Sequence, residues 1–279
     1  MDSEQRRWRT SRIFFTVLLW AILLIGSLLL IRILFTMFFV GSNDLTSLIW
    51  AGYVVSSDFT NPQPVIIGLN GSWIVPRVSV SQEDTFSAVW IGIGGQAQKD
   101  NTLIQTGTEQ DSVDGNETYS AWYELLPSDA VTISTIDVSA GDEITASINL
   151  VDSANLWSIE IRDVTTNQTF KGNFFYDSSR LSAEWIIERP AINDVFSTLA
   201  NFGNLTFTNA KAAMNNAVGT ISKFPFARVI MENQQNRKLA TVSSLSSNGS
   251  SFTVTYLSSA GTLQSRMNKN LENELSVAT

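Results

Sequence analysis

The sequence predicts an all-β protein, a sandwich or barrel of short antiparallel strands, preceded by one N-terminal transmembrane helix. Three observations carry this. Short apolar and β-branched runs recur along most of the chain, separated by Gly, Pro, Asn, Asp and Ser. Two of these runs alternate strictly with period two, as half-buried strands do. Near the start stands an uncharged run of 19 residues, 13–31.

Taken in order, the first element is basic. Arg6, Arg7, Arg9 and Arg12 precede the apolar run. At about 1.5 Å per residue the run is roughly 28 Å long, close to the hydrocarbon thickness of a bilayer. Arg32 interrupts it, and 33–40 is apolar again. A cleaved signal peptide has a shorter apolar core and a small-x-small cleavage site, and Phe38-Phe39-Val40-Gly41 is a poor one. The expectation is therefore an uncleaved signal anchor over 13–40. A cytoplasmic tail, 1–12, precedes it, and the remainder lies on the extracellular side of the cell membrane. That remainder divides into a sandwich domain, 41–257, and a polar, flexible tail, 258–279.

Within the domain, strands are expected at 49–55, 71–76 (after Asn70-Gly71, a turn signal), 88–93, 102–106 and 118–125. The alternating pair follows. Over 143–151, Ile144, Ala146, Ile148 and Leu150 share one face. Over 156–164, Trp157, Ile159 and Ile161 do. Further runs lie at 183–187, 205–208, 228–231 and 252–256, with a short helix expected over 193–200, capped by Asn193.

Composition narrows the chemistry. The 279 residues include no His and no Cys. That excludes Ser-His and Cys-His nucleophilic pairs, Cys/His zinc sites and disulfides. No metal and no cofactor are expected. The nearest approach to a calcium loop, Asp111-Ser112-Val113-Asp114-Gly115-Asn116, lacks the later Glu ligand. From Gly41 onward there are 24 acidic and 13 basic residues, a balance that argues against a nucleic-acid partner. Five Asn-x-Ser/Thr sequons occur, where 21 Asn and 59 Ser plus Thr give about four by chance, so they carry no evidence of glycosylation.

Catalysis must then rest on carboxylates, amides and hydroxyls. Two polar residues stand inside apolar strands: Gln105 in Leu103-Ile104-Gln105-Thr106-Gly107, and Glu184 in Ala183-Glu184-Trp185-Ile186-Ile187. On composition alone both are read as the solvent side of half-buried strands.

A resemblance adds to that reading. Ala88-Val89-Trp90-Ile91-Gly92-Ile93-Gly94-Gly95, Leu103-Ile104-Gln105-Thr106-Gly107, Tyr119-Ser120-Ala121-Trp122-Tyr123-Glu124 and Ala183-Glu184-Trp185-Ile186-Ile187-Glu188 occur in this order. Together with Trp50-Ala51-Gly52-Tyr53, Asn201-Phe202-Gly203 and Ser251-Phe252-Thr253-Val254-Thr255-Tyr256, they resemble the glutamic endopeptidases, or eqolisins, over about 49–256. The resemblance implies a two-sheet antiparallel β-sandwich of the concanavalin-like jelly-roll type, polypeptide substrates, and a catalytic dyad at Gln105 and Glu184. It implies that Trp90, Trp122 and Glu124 shape the substrate cleft; from the residues alone the tryptophans read equally well as core and Glu124 as a charge at the sheet edge. Two departures stand out: Gly94 and Ser120 occupy positions where well-known fungal members carry Asp. The competing reading is a carbohydrate- or protein-binding sandwich, with Trp90, Trp122 and Trp185 stacking on sugar rings. A glycosidase would want a second carboxylate where Gln105 stands.

Overall fold

A computed structural model describes residues 43–96, 100–192 and 195–257. The anchor expected at 13–40 and the tail expected at 258–279 lie outside the described residues. Among the described residues no helix is long and apolar enough to cross a membrane.

The strands run in chain order: β1 (Asn43–Ser47), β2 (Trp50–Ser56), β3 (Ile66–Ile74), β4 (Ala88–Gly94), β5 (Leu103–Val113), β6 (Asn116–Leu125), β7 (Val131–Thr132), β8 (Glu143–Leu150), β9 (Leu156–Asp163), β10 (Gln168–Phe175), β11 (Ser182–Glu188), β12 (Ala191–Ile192), β13 (Val195–Phe196), β14 (Asn204–Met214), β15 (Ala217–Thr220), β16 (Phe226–Glu232), β17 (Lys238–Val242) and β18 (Phe252–Tyr256). One layer has the order β17-β16-β2-β11-β4-β5-β6-β7; the other has β10-β9-β8-β3-β14-β18. Pairing of β17 with β18 joins the two layers along one edge. Strands β3 and β8 pack across β4, closing the sandwich.

The core between the layers follows from alternation. Strands β8 and β9 bury Ile144, Ala146, Ile148, Trp157, Ile159 and Ile161 there. Strands β4 and β11 lack that alternation for a different reason: both of their faces are covered. Val89, Ile91 and Ile93, with Ala183, Trp185 and Ile187, enter the main core. Trp90 and Ile186 join Val54, Ala88, Leu103, Trp122 and Val229 in a second apolar cluster on the opposite face.

Several expectations are corrected. Asn70-Gly71 is not a turn but the middle of β3, paired with Lys211 and Ala146; the Asn70 amide is taken up by donating to Asn209 O at 2.8 Å. The helix expected over 193–200 is not formed: Val195–Phe196 pairs antiparallel with Ala191–Ile192, and Leu199 bridges to Phe86. A single 3-10 turn, Ile221–Lys223, is the one helical piece among the described residues. Strand β1 runs parallel to β16, whereas antiparallel pairing is expected throughout.

The core face of β5 is polar. Thr106, Thr108, Gln110 and Ser112 are buried, and each is hydrogen-bonded, as burial requires. Trp73 Nε1 donates to Thr108 Oγ1 at 3.1 Å, whose hydroxyl donates to Gln110 Oε1 at 3.1 Å. Gln110 Nε2 donates to Ser87 O at 2.9 Å. Thr108→Val keeps the shape and orphans Trp73 Nε1 and Gln110 Oε1. It is expected to cost about 1–3 kcal/mol, read as a lower urea midpoint with specific activity per folded molecule preserved.

Candidate active site

Strand register brings the expected residues together. Glu184 on β11 pairs with Gly92 on β4, Gly92 pairs with Gln105 on β5, and Gln105 pairs with Glu124 on β6. On the far side Glu184 pairs with Val54 of β2. Val54, Glu184, Gly92, Gln105 and Glu124 thus form one row across five strands, all on the face opposite the main core. Two strand spacings separate the backbones of Gln105 and Glu184, about 10 Å. Gly92 keeps the position between them open: a Cβ there would lie 2.9 Å from both Trp90 Cζ3 and Leu103 Cδ1.

The next row, two residues along each strand, holds Gly52, Ile186, Trp90, Gly107 and Trp122. Trp90 is fully buried, and its Nε1 donates to Glu188 Oε2 at 2.8 Å. Trp50 meets Trp90 edge-on, with ring centroids 5.2 Å apart. Trp122 is 6% exposed. Both cleft tryptophans therefore form the apolar bed beneath the row. Trp185 lies on the other face, in the main core, donating to Asn70 O at 2.9 Å. No exposed tryptophan platform for sugars is formed by these three.

The solvent-side placement of Gln105 and Glu184 is corrected. Gln105 is 4% exposed and Glu184 0%. Gln105 Nε2 donates to Glu124 Oε2 at 2.5 Å. An ionised carboxylate only accepts, which fixes the amide nitrogen toward Glu124. Gln105 Oε1 and both oxygens of Glu184 are buried without a hydrogen-bond partner. Buried polar atoms are nearly always paired, so three orphans in one row need a reason.

The carboxyls are shifted by their surroundings. Burial pushes Glu184 well above the ordinary Glu value; nearby Ser182 offsets part of this, although neither side chain makes a hydrogen bond of proper geometry, and the charge of Asp100 adds to the rise. Burial likewise pushes Glu188 up to about 7, against the pull of the Trp90 and Trp50 indoles. Glu124 is raised by burial and lowered in part by Gln105. Asp111, accepting from Ser87 N at 3.0 Å, is pushed by burial up to about 7. Among the described residues no group of three carboxylates is placed to hold a metal ion.

Reading the sequence left Glu188, Gly92, Ser182 and Asp100 unassigned. Alternation from Glu184 gives Ser182 and Glu188, and Gly92 stands inside a quoted segment. Asp100 lies between β4 and β5 and has no local signal.

The β-sandwich thus aligns a buried amide and a buried carboxylate across Gly92. Residues 48–256 match the profile of the Peptidase A4 family. Aspergillopepsin-2 of Aspergillus niger is 32% identical over 237 residues, which cover 77% of this chain and 80% of that protein. Scytalidopepsin B of Scytalidium lignicola is 31% identical over 144 residues, 50% of each chain. Among solved structures, scytalido-glutamic peptidase with a transition state analog inhibitor aligns with a TM-score of 0.63 at 24% identity, covering 75% of this chain and 98% of that one. Aspergilloglutamic peptidase from Aspergillus niger aligns with a TM-score of 0.55 at 32% identity, covering 62% and 99%. The chain belongs to the Peptidase A4 family, the eqolisins, and is a glutamic endopeptidase.

The raised carboxyls give the domain a pH-dependent stability. Folded Glu184, Glu188 and Asp111 hold their protons more tightly than the unfolded chain does. Folding therefore takes up protons above about pH 4, and stability falls as pH rises toward about 7. Asp44 and Asp100 are lowered and pull the other way, weakening the fold below the ordinary Asp value. A thermal midpoint highest near pH 4 and falling on both sides is expected by circular dichroism. A midpoint that climbs steadily to pH 7.5 contradicts this assignment.

Proposed function

We propose that this glutamic endopeptidase hydrolyses polypeptides with Glu184 as general base and Gln105 as oxyanion donor, outside the cytoplasm and tethered to the cell membrane through residues 13–40. The observation that carries the site is the row itself: an amide and a carboxylate flank Gly92, and their three free oxygens are buried and unpaired.

The chemistry follows from those groups. A water held in the gap gives a proton to ionised Glu184 as its oxygen attacks the scissile carbonyl. The amide of Gln105 has two N–H donors. One is engaged by Glu124, which locks the amide plane; the other faces the oxygen on which negative charge develops. Glu184 then returns its proton to the leaving nitrogen as the C–N bond breaks. Trp90 and Trp122 floor the cleft and keep it dry, which strengthens both interactions. A cavity of about 350 Å³ beside Trp50, lined by Leu45, Ile49 and Val229 and also by Thr46, Ser47 and Gln96, offers both apolar and polar contacts to a substrate side chain. The binding-module alternative lacks support, since its stacking tryptophans are buried.

Glu184→Gln is expected to fold and to lose about 10²–10⁴ in kcat. Gln105→Ala is expected to lose about 10²–10³ in kcat with a smaller change in KM. Gln105→Glu places a second carboxyl in the row and is expected to be inactive as well. Near-wild-type proteolysis by Glu184→Gln would falsify the assignment.

Because Glu184 must be ionised and its carboxyl is raised, the rate rises with pH. The acid limb of kcat/KM is expected above the ordinary Glu value of 4.5, with an optimum on the acid side of neutral. Full activity at pH 2 argues against a buried base. Activity is expected to survive EDTA, since the proposed chemistry uses an amide, a carboxylate and water; loss with EDTA and recovery on adding one metal overturns it.

For topology, protease added to intact cells or spheroplasts is expected to reach the domain, and extraction to require detergent. A soluble chain beginning near Gly41 indicates a cleaved segment instead.

A further inference from the structure

We propose that Asp100 is a positioning residue of this active site: it fastens Gly95 and Thr102, just past β4 and just before β5, to the 176–181 segment that feeds β11, and so sets both the place of Glu184 and the charge it faces. The inference rests on the reading of Glu184 as the base.

Asp100 takes four hydrogen bonds from three places. Gly95 N donates to its Oδ2 at 3.0 Å, and Ser179 Oγ to the same oxygen at 2.5 Å. Thr102 donates to Oδ1 through its N at 3.0 Å and its Oγ1 at 2.8 Å. Ser179 N donates in turn to Thr102 Oγ1 at 2.9 Å. Two loops are thereby joined through one carboxylate, three residues before β11 begins. Tyr176 braces the same junction: its hydroxyl accepts from Leu103 N at 2.8 Å and donates to Leu126 O at 2.9 Å.

This clamp occupies the ground where the resemblance expects an acid at position 94. Gly94 has φ +95°, and a Cβ there would stand 2.5 Å from Thr102 O and 3.2 Å from Ser179 Oγ. No side chain fits, and the carboxylate here comes from Asp100 instead. Burial pushes the Asp100 carboxyl up, but the bonds from Ser179, Thr102 and Gly95 outweigh it and hold the group below its ordinary value. It is therefore charged wherever Glu184 titrates.

The other surroundings of Glu184 supply little charge. Strands β2, β4 and β5 give Val54, Gly92 and Gln105 in its row. Its own strand gives Ser182 and Glu188, and β6 gives Glu124. Among the described residues none of Glu184, Glu188, Glu124 and Asp100 is in an ion pair. A like charge disfavours ionisation of its neighbour, and Asp100 is the charge that acts on Glu184 beside burial.

The test is the pH dependence of kcat/KM on denatured protein for the full chain in detergent, in wild type, Asp100→Asn, Ser179→Ala and Glu184→Gln, with thermal midpoints by circular dichroism. Asp100→Asn is expected to move the acid limb to lower pH and to reduce kcat. Ser179→Ala removes one bond and no charge, so its thermal midpoint is expected to fall while the acid limb stays in place. If Asp100→Asn does not fold, Asp100→Ser is judged by the same limb. An acid limb coincident with wild type in the neutral variant, with Glu184→Gln inactive, overturns the role of Asp100 alone. An active Glu184→Gln overturns the reading of the base.

Discussion

A carboxylate held on a covered sheet face, with no cation beside it among the described residues, is the constraint from which the rest of this molecule follows. Glu184 is fully buried and unpaired. An ionised group there has lost its water without gaining a counter-charge, which is costly. The surrounding architecture makes the arrangement tolerable. The apolar cluster of Trp90, Trp122, Ile186 and Val54 lies on strands whose other face is anchored in the main core, so the site is built on a rigid sheet rather than on loops. The nearest neighbours of Glu184 in the row are neutral: Val54 and Gly92 lie on either side, and Gln105 beyond Gly92 supplies an amide that keeps its donor at every pH. The stability forgone at one carboxylate is a small part of what the sandwich gains by burying both faces of β4 and β11.

The fold was legible wherever one face is wet. Strands β8 and β9 alternate strictly, and their expected bounds lie within a residue of the observed ones. Legibility failed where the pattern carries other information. Strand β5 was expected to end near Thr106 but runs to Val113, because its core face changes from Ile104 to the buried Thr106, Thr108, Gln110 and Ser112 ladder. Hydrogen bonds satisfy that ladder, and apolar periodicity cannot reveal it. Strand β10 is an edge with Lys171, Gly172 and Asn173 on it, and such edges need few apolar residues. The Asn70-Gly71 pair looks like a turn, yet Gly71 is small because Trp185 passes over it: a Cβ there would meet the indole at 2.9 Å. A close approach from a distant strand leaves no local trace.

The same limit applies to the site. Gln105 and Glu184 could be singled out as polar residues in apolar strands, but composition sent them to the solvent side. Only the three-dimensional stacking of Trp90 and Trp122 over a second face explains why they are buried. Glu188 sits four residues beyond Glu184, on the same face by alternation, and its bond to Trp90 explains why that tryptophan tolerates a fully buried indole N–H. The Asp100 clamp depends on Ser179, almost eighty positions later, and only contact between loops reveals it.

Position 120 completes the electrostatic argument. Ser120 stands opposite Glu109 on the site face, and its Oγ donates to Glu109 Oε2 at 3.2 Å. An acid at 120 would face that carboxylate directly, adding repulsion to a surface that already carries Glu109, Asp111, Glu124 and Glu188. The hydroxyl instead stabilises an acid already present. With a serine at 120 and a glycine at 94, fewer charges act on Glu184 than a cleft with acids at both positions would supply. Its proton is then held mainly by burial, with Asp100 as the one added charge. Burial does not vary with pH, whereas a cluster of neighbouring acids would lose its influence as each member protonates. Ionisation of Glu184 is therefore set by burial and by the charge of Asp100, which stays ionised over the range in which Glu184 titrates.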